Sequence, residues 1–279
     1  MSGPSPGWQR VVTVARTDLK QLAQARDFWL PMSLLGSLFF VVIPTILLLT
    51  ITQIGSVEVV GRVSDALEVL PESAQSQIVG DSPEGQTGYA LAVFLFAPVA
   101  VIVPLTISTA VGAATIVGER ERGTGEFLAH SPASAREIYL GKLIASLLPG
   151  YATVAVGFGL YSVIVNLTVG PSVGGWFFPT TQWWVMILWV LPPFLAICLS
   201  LVLRLSARVS STAAAQQASG LVSLPLIMIA YSQATGVLFG AGYLPLVVGA
   251  VAWIGAIVSL RRGMRSVTRS RLLGVASGI

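Results

Sequence analysis

The sequence predicts an all-α, polytopic membrane protein: six transmembrane helices, an amphipathic interfacial helix ahead of them, and a short surface helix between the second and third spans. Three observations carry that expectation. Hydrophobic residues make up 54% of the 279 and charged residues only 10%, with a mean hydropathy of +0.81, well beyond what soluble domains show. Most apolar residues fall into runs of about 20 or more that are nearly free of charge, the length a helix needs to cross ~30 Å of hydrocarbon. The charges gather in islands between those runs, where water solvates them. Six spans and their loops use up residues 1–279 as a single transmembrane domain and leave no room for a further folded domain of ~200 residues.

Residues 1 to 7 hold two Pro and two Gly and are expected to lack fixed structure. From Trp8 the pattern tightens. Trp8, Val11, Val12, Ala15, Leu19 and Leu22 recur at helical spacing, while Arg10, Thr13, Thr17, Lys20, Gln24 and Asp27 face the other way, so residues 8–27 read as an amphipathic helix lying in the interface. A signal peptide fits worse, because the apolar run starts only near Phe28 and no small-residue cleavage site follows.

The first span covers about residues 28–52 and contains Pro31 and Pro44; Pro44 should kink it, since its ring removes a backbone hydrogen bond and presses on the preceding turn. Residues 53–88 turn polar and acidic, with Glu58, Asp65, Glu68, Glu72, Asp81 and Glu84 against Arg62 alone. They read as an external loop in which Val59, Val60, Val63, Leu67 and Leu70 mark a short amphipathic helix. The second span, about 89–117, carries Pro98 and Pro104. After a charged connector at 118–137, the third runs from about Ile138 to Asn166. Residues 167–182 are uncharged and rich in Gly, Pro and aromatics, which fits an outer interface. The fourth span, about 183–203, holds Pro192 and Pro193 and ends at Arg204 and Arg208. The fifth begins in the small-residue stretch Ser210–Ser219, where Gln216 and Gln217 can bond across a helix interface, and runs to about Tyr231. Residues 232–242 suit a re-entrant turn on the outer side. The sixth span is about 243–260, followed by Arg261, Arg262, Arg265, Arg269 and Arg271.

With both termini in the cytoplasm, every Lys and Arg of the 16 except Arg62 lies inside, the distribution that sets orientation in a cell membrane. The same placement argues against nucleic acid as a partner, since the basic residues flank apolar runs. Cys198 and His130 are each the only residue of their kind, which excludes an internal disulfide and a Cys-based metal site. The spans are expected to be free of ionisable residues, so a proton relay or an intramembrane enzyme is disfavoured. Gly141-Lys142 is followed by Leu143 and has Arg136 in place of the first Gly of a Walker A loop, so the chain does not bind ATP by that route.

The connector is the densest patch of charge in the chain. Gly123, Thr124 and Gly125 should end the incoming helix. Thr124 can cap a short helix through Glu126, Phe127, Leu128 and Ala129, with Glu126 near its positive end. Pro132 stops that helix, and Ser134 with Glu137 forms a capping box ahead of the third span. The strings Glu119-Arg-Glu-Arg-Gly-Thr-Gly-Glu126-Phe-Leu, Ser131-Pro132 and Glu137-Ile-Tyr-Leu-Gly-Lys142 resemble the signature of the ABC-2 type permeases, membrane subunits of ABC exporters with a type V-like fold. That family places a large aliphatic residue where Gly125 stands.

The resemblance implies a separate ABC ATPase subunit that carries ATP and Mg, with no cofactor on this chain. It implies that 8–27 is a connecting helix that also touches the ATPase. It implies that the connector docks as a coupling helix: Glu119, Arg120, Glu121, Arg122 and Glu126 pairing with charges, Phe127 and Leu128 filling a pocket, Gly123 and Thr124 shaping the turn. A second permease chain, as a homodimer, is implied too, with the first, second and fifth spans lining the route. Polar groups available there are Thr45, Thr50, Thr106, Ser108, Thr109 and Ser223, a neutral lining that suits a lipid-like or drug-like cargo. The reading from another class is a membrane scaffold or assembly factor, for which the spans are packing surfaces.

Overall fold

The computed structural model describes residues 6–54, 61, 72–121, 130–206 and 242–266, with single positions at 214, 217, 220, 224, 227, 228, 231 and 232. Among these the chain is helical and contains no strand: α1 (Pro6–Gln24), α2 (Arg26–Ser37), α3 (Ile43–Leu49), α4 (Glu72–Gln75), α5 (Pro83–Ala90), α6 (Val99–Glu121), α7 (Ala135–Thr168), α8 (Gly170–Val173), α9 (Thr181–Val185), α10 (Leu191–Ser206) and α11 (Leu244–Ser266). Five composite helices are long and apolar enough to cross a membrane: Arg26–Gln53, Pro83–Val117, Ala135–Thr168, Thr181–Ser206 and Leu244–Arg265. They coincide with the first, second, third, fourth and sixth spans expected from sequence. Of the expected fifth span, the 232–242 turn and the short helix around 59–70 only isolated positions are described, and the heart of the connector lies outside the described residues.

The second span is the hub. Of its most apolar stretch 78% is buried within the chain, against 28% for the first span and 22% for the last, so the two outer spans turn most of their surface away from the protein. The second span starts at Pro83 rather than near Tyr89, because Ser82 caps it: its Oγ accepts a hydrogen bond from Gly85 N, and Pro83 fills the first turn. α6 packs along α7, α1 lies against α7, and α10 bridges α6 and α11.

Several prolines of the spans are preceded by widened turns. π-helical turns occupy Leu38–Val42, Leu91–Leu95 and Met186–Val190, each just ahead of a proline: Pro44, Pro98, and the Pro192-Pro193 pair. A proline ring presses on the carbonyl four residues back. Those carbonyls belong to Phe40, Phe94, Leu188 and Trp189, all inside the wide turns, where there is room for the ring. Side chains from neighbouring helices bond to carbonyls of these turns: Tyr161 OH donates to Ala92 O (2.7 Å), Trp183 Nε1 to Val93 O (2.9 Å) and Tyr151 OH to Ile187 O (2.9 Å).

The uncharged segment after the third span is fastened by Asn166. Its Nδ2 donates to Phe178 O (2.6 Å) and Ser162 O (2.8 Å), and its Oδ1 accepts from Phe177 N (2.9 Å) and Phe178 N (3.0 Å). A buried asparagine with its hydrogen bonds made is cheap to bury, and it holds the loop in one place. Phe178 then meets Tyr161 and Trp183 edge-on, and Trp183 stacks on Phe158 at 5.7 Å.

Candidate functional site at the connector end of the bundle

α6 carries Glu119, Arg120 and Glu121 as its last residues. Arg122, Gly123, Thr124, Glu126, Phe127 and Leu128 lie outside the described residues, and the chain resumes at His130. The far edge of the connector is built as the sequence predicts: Ser134 Oγ accepts from Glu137 N (3.3 Å) while Glu137 Oε2 accepts from Ser134 N (2.7 Å). From α1, Arg10 closes over this cap. Its Nη1 donates to Pro132 O at 3.1 Å and stands 3.5 Å from Glu137 Oε2.

Further in, the three helices around the connector meet at one charge. Lys142 is 0% exposed and Asp18 only 7%. The Lys142 ammonium donates to Thr115 O on α6 at 2.6 Å and lies 3.5 Å from Asp18 Oδ2 on α1. This corrects the expectation of spans free of ionisable groups. The capping box starts α7 at Ala135, so Lys142 belongs to the continuous helix of the third span rather than to a loop. It sits about 10 Å along that helix, beside α1. Gly141 permits the approach: a Cβ there would lie 2.7 Å from Val14 Cβ and 3.0 Å from Val11 O. A cavity of about 100 Å³ beside the pair is bordered by Asp18, Gln21, Phe28 and Thr115 among others.

The face that α1 buries differs from the one expected. Val11, Val14, Ala15 and Asp18 pack inward, while Trp8 and Val12 remain about half exposed. The apolar residues form one broad stripe, and its edge with Val11, Val14 and Ala15 meets α7. Asp18 was missed by pattern reading, although its place at the end of an i, i+3, i+4, i+7 series with Val11, Val14 and Ala15 was the available signal. Alongside, Tyr139 OH donates to Ser200 Oγ (2.8 Å) and Ser200 Oγ to Ser259 O (3.1 Å), joining α7, α10 and α11.

A model of the family described as ABC-2 family transporter protein matches residues 12–269. The chain belongs to that ABC-2 family. Its ABC-2 membrane relatives work with ATPase subunits in ABC transporters. No curated protein matches the sequence. In this ABC-2 protein the Gly-Lys step at the end of the signature has a local explanation: Gly141 admits α1, and Lys142 ties it to α6.

Five of the six polar residues expected along a route through this ABC-2 protein fall among the described residues. Thr45, Thr50, Thr106 and Thr109 each return their hydroxyl to a carbonyl four residues back in their own helix, which spends the donor locally. Ser108 is fully buried against Gly150, and Ser223 lies outside the described residues. A groove of about 310 Å³ runs between the first and third spans and is bordered by Ser33, Gly36, Ser37, Thr153 and Gly157 among others.

Proposed function

We propose that this ABC-2 protein is the permease subunit of an ATP-driven exporter, moving an amphiphilic, lipid-like or drug-like cargo across the cell membrane as a homodimer with a separate ATPase subunit. The observation that supports it best is the fastening of both edges of the charged connector. α6 and α7 enter and leave it as stiff helices, α1 is clamped across them by Arg10, Asp18 and Lys142, and force applied there passes directly into the second and third spans. ATP and Mg act on the partner; this chain supplies the mechanical path.

In this reading the connector faces the cytoplasm, as do both termini. Glu119, Glu121 and Glu126 with Arg120 and Arg122 pair with charges on the ATPase. Phe127 and Leu128 anchor in a pocket, so the centre carries most of the affinity and the charged rim sets partner and register. Gly123 and Thr124 turn the chain between the two.

Co-expression tests this directly. The chain should copurify with its ATPase and raise ATP turnover in lipid nanodiscs, and Glu126→Arg should abolish copurification without loss of folded protein. Unchanged turnover on adding the native chain, or a connector accessible only from the cell exterior, would overturn the reading.

A further inference from the structure

Lys142 places its charge where three helices meet. Its side chain leaves α7, its ammonium bonds Thr115 O on α6, and the carboxylate opposite belongs to Asp18 on α1. Thr115 and Lys142 both lie within about two helical turns of the connector edges. Apolar packing alone is non-directional and lets one helix slide along another. A buried ion pair with a short backbone bond has a narrow geometry, and displacing any of its three helices pulls a buried charge away from a group that compensates it.

We propose that the Asp18–Lys142 pair is a joint that fixes α1 to the ends of the second and third spans, so that α1 and both edges of the connector shift as one body during transport. The inference rests on the ATPase-coupled reading above. Asp18 and Lys142 are positioning residues that touch neither nucleotide nor cargo. Arg10 and Glu137 guide the same docking at the exposed rim, where a pair is screened and weak; the buried pair sets the position.

The test uses spin labels at Thr13→Cys on α1 and Leu148→Cys on α7, both exposed, in a Cys198→Ala background of the full chain in nanodiscs. One narrow distance is expected, the same with and without ATPase and in nucleotide-free and vanadate-trapped states. The deciding variant is Asp18→Asn with Lys142→Met, which removes both charges and leaves neither stranded. It should melt near the native chain and still bind ATPase, yet show a broadened distance and about tenfold lower stimulation of ATP turnover. A structural pair with no part in transmission would instead leave that double variant fully coupled, and this result, or a native distance that changes between nucleotide states, overturns the joint. Failure of the native chain to bind any ATPase would overturn the function proposed above, while broadening in the isolated double variant still decides whether the pair fixes α1.

Discussion

At Gly141 there is no room for a side chain, because Val14 Cβ and Val11 O already stand where a Cβ would point. Gly141→Val should push α1 off α7 at a cost of roughly 1–3 kcal/mol, read as a lower melting temperature and faster proteolysis of residues 6–24. Asn166→Leu, similar in size, leaves Phe177 N and Phe178 N without this partner, while Phe178 O keeps Ser162 Oγ, and should cost about 1–3 kcal/mol for each group left unsatisfied. Ser134→Ala removes the cap and should cost about 1 kcal/mol. Residues of this kind were unevenly legible in the sequence. The Ser134–Glu137 box could be read because a cap is a local contract between residues three apart. The partnership of Asp18 with Lys142 could not, because 124 residues separate them and the local series Val11, Val14, Ala15, Asp18 points to a buried face without naming what it meets.

Among the elements, the prolines were visible but the form of the bend was not. A kink at Pro44 follows from ring geometry alone, whereas the choice of a widened turn also depends on what lies opposite. Ala92 O and Val93 O have Tyr161 and Trp183 within reach, and Ile187 O has Tyr151. Replacing Pro44 by Ala should let Leu38–Val42 close into ordinary α turns and straighten the first span, seen as a changed register of Phe40 in a structure of the variant. Tyr151→Phe tests the other half: losing the donor to Ile187 O should cost about 0.5–1.5 kcal/mol in melting experiments. The amphipathic helix shows a similar limit. Periodicity marked it as amphipathic, yet the pattern could not say which edge of its broad apolar stripe packs on the protein.

For the whole molecule, the hydropathy runs and the charge asymmetry outlined five described spans and their order, since both follow from the solvent the chain must satisfy. The ranking of spans by burial was not legible, because all are comparably apolar and only the assembled fold makes the second one central. That ranking carries a prediction. Phe94→Ala, at a fully buried site on the hub, should cost about 3–5 kcal/mol. Leu34→Ala, 70% exposed on the outer span, should leave the melting temperature of the single chain nearly unchanged and, if it acts, act on association between copies.

The order of synthesis gives the clasp between the first helix and the third span a cost in time. Asp18 leaves the ribosome long before Lys142 exists, so the newborn N-terminal helix waits unclasped at the membrane surface while two spans are threaded. A biogenesis intermediate arrested ahead of residue 142 should therefore display that helix to protease, and protection should arrive in one step when the lysine is delivered.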